Sequence, residues 1–247
     1  MKTVYARPKS MKEAHFHYCP GCGHGVITRL IAEVVDEMEL RDKTICVAPA
    51  GCGMLLYNYF DFDTIESAHG RGAAVATGIK RVRPENLVFS YQGDGDLAAI
   101  GTAEGFHAAN RGELISVIFV NNGVYGMTGG QMAPTTMLEQ VTTTSPAGRD
   151  SLIQGHPVKI CEVYATLDGT SYLERVAVNK PAGIIKTKKA IARAFRHQLQ
   201  KTGFSLVEIL SPCPTNWKMS PLDACRWVDD VMTKVFPLGL IKETKKC

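Results

Sequence analysis

The chain has 247 residues and a mass of 26.9 kDa, is 45% hydrophobic and 21% charged, and carries a formal net charge of +4. That profile excludes disorder, collagen and coiled coil. The charge is too mild for nucleic-acid binding, and no basic run is interleaved with aromatics. No apolar run approaches the ~20 residues of a bilayer-spanning helix, and residues 1–10 have no apolar stretch behind their basic residues, so a cytoplasmic chain without membrane contact is expected.

In chain order, residues 1–16 read as an N-terminal extension and residues 22–39 as a first helix. Short apolar runs at residues 44–48, 87–91, 115–120, 160–165 and 205–210 read as strands. None alternates cleanly between polar and apolar, the pattern of strands buried on both faces in a parallel sheet. Further helices are predicted at residues 68–82, 97–110 and 187–201. In the last, Ala190, Ile191, Ala194, Phe195 and Leu199 recur at helical spacing, and Lys188, Lys189, Arg193, Arg196 and Lys201 read as a solvated face. The alternation predicts an α/β fold with a doubly wound, mostly parallel sheet. It occupies one domain spanning residues 1–247, with residues 212–247 as a C-terminal extension.

The most informative stretch begins where the strand at residues 87–91 runs into Gln92-Gly93-Asp94-Gly95-Asp96 and a helix follows. Glycines at a strand's carboxyl end let the backbone approach a ligand, and the following helix N-terminus offers free N–H groups to phosphate. Asp94, held between two glycines, is suited to a hard cation. The next strand ends in Asn121-Asn122, which brings a second oxygen ligand to the same edge. Carboxylate, amide oxygen, backbone carbonyl and phosphate oxygens form a shell suited to Mg²⁺. A lone Gly-Asp-Gly is equally a tight turn; its pairing with Asn-Asn carries the assignment.

With residues 96 to 120 between Gly95 and Asn121, this pattern resembles the thiamine diphosphate enzymes. The resemblance implies that Asp94, Asn122 and the carbonyl of Val124 hold the cation that clamps the diphosphate. It narrows further. Tyr125-Gly126-Met127-Thr128-Gly129-Gly130-Gln131, then Pro134-Thr135-Thr136, with His69-Gly70-Arg71 opening an earlier helix, resembles the β subunits of the 2-oxoacid:ferredoxin oxidoreductases. The resemblance implies a cofactor pocket lined by Gly51, Cys52, His69, Gly70, Arg71, Gly93, Gly95, Asp96, Tyr125, Gly126, Met127 and Thr128.

Eight cysteines stand at positions 19, 22, 46, 52, 161, 213, 225 and 247. Without a signal peptide they read as core thiols, catalytic thiols or metal ligands. Cys19-Pro-Gly-Cys22 is compatible with a zinc knuckle, a redox dithiol or an iron–sulfur ligand pair. A second closely spaced pair, as a zinc ribbon needs, is missing. Cys52 and Cys213 sit among glycines or prolines just past strands, on the same edge as the diphosphate motif. Cys46 and Cys161 lie in apolar runs and read as buried small hydrophobes; Cys225 and Cys247 read as ordinary thiols. In the same oxidoreductase family, this arrangement matches the ligands of a [4Fe–4S] cluster, implying Cys19, Cys22, Cys52 and Cys213.

The resemblance implies coenzyme A-dependent oxidative decarboxylation of a 2-oxoacid, with electrons leaving for ferredoxin. It also implies partners: a pyrimidine-domain α subunit supplying the activating glutamate, a coenzyme A-binding γ subunit and a ferredoxin-like δ subunit. Leu55 stands where 2-oxoglutarate enzymes of this kind often carry Lys or Arg. With Met127, it favours an aliphatic substrate such as 2-oxoisovalerate over 2-oxoglutarate or pyruvate. The competing readings are a non-redox thiamine diphosphate decarboxylase or synthase and a cofactor-free scaffold.

Overall fold

The computed structural model describes residues 6–244, so Cys247 lies outside the described residues. The strands are β1 (Thr44–Pro49), β2 (Asp63–Ser67), β3 (Leu87–Gly93), β4 (Ser116–Asn121), β5 (Val124–Tyr125), β6 (Gln131–Met132), β7 (Thr170–Ala177), β8 (Phe204–Leu210) and β9 (Gly239–Glu243). Seven form one sheet in the order β2-β1-β3-β4-β8-β7-β9. All its pairings are parallel except that of β9 with β7. β5 and β6 form a separate hairpin.

Alternate residues of the central strands feed two cores. Cys46, Phe89, Ile118 and Val207 face one side, where α1 (His24–Glu37) contributes Ile27 and Ile31. Val47, Val88, Val117 and Leu206 face the other, covered by α2 (Gly72–Val82) and α3 (Thr102–Asn110). Covering both faces is what allows near-continuous apolar strands, since neither face meets water. Four of the five predicted strands are β1, β3, β4 and β8.

The fifth is a correction. After the single turn α4 (Ser151–Gln154), residues 160–165 form a helix, α5 (Ile160–Ala165), which buries Ile160, Cys161 and Tyr164 while Val163 is exposed. Burial at i, i+1 and i+4 is helical spacing, and it outweighs the β-branched composition. The neighbouring strand is β7, whose Glu174 and Arg175 break the apolar pattern in the sequence. Arg175 is fully buried and pairs with Glu208 at 2.8 Å and Glu162 at 2.6 Å. The edge strands β2 and β9 are largely exposed and carry little apolar signal. α6 (Pro181–Leu199) packs its Ala190, Ile191, Ala194 and Phe195 into the first core, and its Lys188 bridges Glu33 and Glu37 of α1.

The C-terminal residues return to this chain's own sheet. Two short helices, α7 (Pro214–Trp217) and α8 (Pro221–Trp227), lead on to β9, and Arg175 holds the Pro237 carbonyl at 3.1 Å. No helix of the described residues is long and apolar enough to cross a membrane.

Candidate cofactor and thiol cavities

β1, β3, β4 and β8 are contiguous in the sheet, so the loops after their carboxyl ends share one rim. Three of those loops wall a cavity of about 250 Å³. The first supplies Gly51 and Cys52, the second Gly93, Asp94, Gly95 and Asp96, and the third Asn122, Val124, Tyr125, Gly126, Met127 and Thr128; His69 closes it from before α2. Gly51 has φ +129°, a conformation only glycine adopts without strain, and it turns the chain toward Cys52.

Asp94 is 2% exposed. Its Oδ2 accepts the Asn122 backbone N–H at 3.0 Å, and its Oδ1 accepts the Thr135 hydroxyl. Burial pushes its carboxyl up to about 7 against the pull of those hydrogen bonds, because nothing positive stands beside it. One terminal atom of the Asn122 side chain lies 2.9 Å from both the Val124 carbonyl oxygen and Asp94 Oδ2. Turned one way, that atom is the amide nitrogen, donating to both. Turned the other, three oxygens converge, and 2.9 Å matches the edge of an octahedron with bonds of ~2.0–2.1 Å, about 2.8–3.0 Å. The donor set therefore fits Mg²⁺.

Asp96 has a different task from its neighbour. Its Oδ1 accepts from Gly70 N–H at 2.6 Å and meets His69 Nδ1 at 2.7 Å, while its Oδ2 accepts from Gln92 Nε2 at 2.6 Å. It thus fixes the His69 ring in the cavity wall. Gly70 and Arg71 do not line the cavity; Arg71 pairs with Glu104. Leu55 is absent from the wall as well. It sits in the 3₁₀ turn Met54–Asn58, partly buried against the first core, so the structure does not bring it to the substrate position assigned from the sequence.

A second cavity, of about 180 Å³, adjoins the first. Cys19, Cys22, Cys52 and Cys213 all line it, and no other cysteine among the described residues does. The Cys19–Cys22 turn closes with a Cys22 N–H to Cys19 C=O bond of 3.1 Å, and Gly23 N–H reaches Pro212 C=O at 3.4 Å, which joins the two cysteine loops. Burial pushes the Cys22 thiol up to about 12 and the Cys52 thiol to about 11, with the other thiols adding to both. Burial also raises the Cys213 thiol, although Asn216 Nδ2 donates to its sulfur at 3.3 Å. Among the described residues, no three histidine, cysteine or acidic side chains meet as they would around one ion. Thiols that ring a space fit a multi-iron cluster better than a single zinc. Cys46 and Cys161 are buried in the two cores, and Cys225 lies outside both cavities.

Comparisons with known proteins agree with this geometry. Residues 51–209 match the family model "Thiamine pyrophosphate enzyme, C-terminal TPP binding domain". The 2-oxoglutarate synthase subunit KorB of Archaeoglobus fulgidus is 38% identical over 90% of this chain and 79% of its own length. The chain belongs to the thiamine diphosphate-binding subunits of the 2-oxoacid:ferredoxin oxidoreductases. The ketoisovalerate oxidoreductase subunit VorA of Methanothermobacter marburgensis is 45% identical over 96% of the chain but 50% of its own length, so the chain spans about half of that relative. A solved 2-oxoglutarate:ferredoxin oxidoreductase from Magnetococcus marinus superposes with a TM-score of 0.83 at 26% identity, covering 100% of this chain and 88% of that one.

Several contacts that support the site come from residues outside the Gly-Asp-Gly and Asn-Asn pairing. Trp217 Nε1 donates to the Asn122 carbonyl at 3.1 Å, and Asn216 Nδ2 to the Gly126 carbonyl at 2.9 Å. The segment starting at Cys213 thereby grips the loop at residues 122–126. Thr135 lies in a segment pinned by Arg149, whose guanidinium donates to the carbonyls of Thr136 (2.6 Å), Pro134 (2.9 Å), His156 (2.9 Å) and Gly155 (2.9 Å). Arg149→Met should strand those carbonyls and destabilise the fold by about 2–4 kcal/mol; a melting midpoint equal to wild type would refute this role. Thr135→Val keeps the shape and removes the hydroxyl on Asp94. It should weaken Mg²⁺-dependent cofactor binding by ~10-fold, read by calorimetric titration, and unchanged affinity would count against it.

Proposed function

We propose that this chain is the cofactor-bearing subunit of an enzyme that oxidatively decarboxylates a branched-chain 2-oxoacid, with 2-oxoisovalerate as the model substrate, to its acyl-coenzyme A. Asp94, Asn122 and the Val124 carbonyl hold Mg²⁺ and through it the diphosphate; Cys19, Cys22, Cys52 and Cys213 hold a [4Fe–4S] cluster that passes electrons toward ferredoxin. The observation that carries the proposal is that these four thiols, and no others among the described residues, line a cavity sharing Cys52, Asn122, Gly126 and Met127 with the Asp94 cavity. Thiamine diphosphate supplies an electron sink for decarboxylation, and an adjacent cluster a one-electron acceptor. The chain's own residues orient and enclose: Asp96 sets His69 at the cofactor wall, and the Asp94 carboxylate anchors the diphosphate end through its cation.

The substrate assignment no longer rests on Leu55. It rests on the relatives at 45% identity named for ketoisovalerate, and on linings that, among the described residues, hold no lysine or arginine to meet a second carboxylate. Met127, 52% exposed, is a flexible apolar wall that suits an aliphatic tail. The second reading, 2-oxoglutarate, has the relatives that the chain covers more fully in its favour. A pyrimidine-domain α subunit supplies the activating glutamate, and γ and δ subunits serve coenzyme A and electron transfer.

Anaerobic co-purification with native partners, followed by a 2-oxoacid panel with coenzyme A and ferredoxin, tests the reading. A brown complex fastest on branched 2-oxoacids is the expected result. Faster turnover of 2-oxoglutarate would overturn the substrate, and a colourless zinc protein releasing an aldehyde would overturn the redox reaction.

A further inference from the structure

His24 stands in the wall common to both cavities and is 3% exposed. The Tyr18 ring stacks on it at 5.2 Å and 19°, and its Nδ1 lies 2.5 Å from the Tyr91 hydroxyl. Tyr91 is 2% exposed and lines only the cofactor cavity. Among the described residues its hydroxyl has no other hydrogen-bond partner. A buried phenol has one proton to place, and leaving it unpaired costs about 1–3 kcal/mol. Donation to His24 Nδ1 satisfies it, which puts the imidazole proton on Nε2. The two ring nitrogens point apart, so Nε2–H is directed away from Tyr91, and among the described residues no protein acceptor meets it. His24 lines the thiol cavity as well as the cofactor cavity and stands two residues after Cys22, so the free Nε2–H has the thiol-lined space within its surroundings.

We infer that His24 Nε2–H donates a hydrogen bond to the [4Fe–4S] cluster on the side facing the cofactor cavity, and that Tyr91 acts as a positioning residue by holding His24 in the required tautomer. The inference rests on the cluster reading above. Adding an electron increases the negative charge on the cluster sulfurs, so a fixed N–H donor stabilises the reduced form more than the oxidised one and raises the reduction potential. A donor between the two cavities thus favours electron arrival from the cofactor side.

The test uses the full 247-residue chain reconstituted anaerobically with iron and sulfide, titrated potentiometrically and followed by the electron paramagnetic resonance of the reduced cluster. His24→Phe keeps the stacking ring and removes the donor, and should shift the midpoint to lower potential at full iron content. His24→Gln restores a donor and should recover part of the shift. Tyr91→Phe keeps its packing, frees the tautomer and should shift the midpoint in the same direction by less; it decides the matter if His24→Phe fails to retain iron. Wild-type potentials in iron-replete His24→Phe, or a shift as large in His24→Gln, would overturn the inference. So would weakened thiamine diphosphate binding at unchanged potential, since the donor would then face the cofactor. Wild-type chain that takes up no iron would instead bring down the cluster reading itself.

Discussion

Asp94→Asn should abolish Mg²⁺-dependent thiamine diphosphate binding, raising the dissociation constant at least ~100-fold, beyond the 10–100-fold typical of outer-shell changes. Asp94 is the one carboxylate among the three converging oxygen donors, so asparagine leaves that donor set without a formal charge to offer a cation. The same substitution should leave the metal-free chain as stable as wild type or more so. It replaces a buried carboxylate that has no cationic neighbour with a neutral group of the same size. Calorimetric titration with cofactor and Mg²⁺, paired with thermal unfolding in chelator, reads both effects. Binding retained within a few fold would remove Asp94 from the site, and a large drop in chelated stability would mean that its role is structural.

Cys52→Ser should have the second large effect. Cys52 is the only one of the four thiols in the wall of both cavities, and its carbonyl is held by His17 Nε2 at 3.1 Å. A hydroxyl is a poor iron ligand, so the reconstituted chain should lose more than half of its roughly four irons. Cys46→Ser is the control, because that thiol is buried in the first core. It should lower the melting temperature and leave the iron content unchanged. Equal iron loss in both variants would mean that instability, not ligation, explains the result.

What could be read in the sequence follows a physical line. The central strands β1, β3, β4 and β8 announce themselves because residues buried on both faces must be apolar throughout. β7 does not, because Arg175 is buried within a charge network with Glu162 and Glu208, and an isolated sequence shows the charges without the pairing. α5 misled because Ile160, Val163 and Tyr164 have strand composition at helical spacing. In the site, the residues assigned to the cofactor pocket wall the first cavity, apart from Gly70 and Arg71, and Leu55 is absent from that wall. The supporting contacts join segments remote in the chain, which no local pattern reveals: Thr135 on Asp94, Trp217 on the Asn122 carbonyl and Asn216 on the Gly126 carbonyl. His24 follows the Cys19-Pro-Gly-Cys22 turn by two residues, but only the fold shows that it stands in the wall common to two cavities.

The cavity linings carry one more implication, for the order in which the site is filled. With neither a lysine nor an arginine among the described residues of the first wall, a bare diphosphate would approach the buried Asp94 carboxylate with like charge on both sides. Helix-terminal N–H groups offset only part of that repulsion. On the proposed reading, the divalent ion arrives as the counter-charge, bound to the diphosphate or already seated on Asp94, and the chain selects an ion-paired cofactor rather than a free anion. Occupancy at fixed cofactor should then track the concentration of free Mg²⁺ as well as that of thiamine diphosphate.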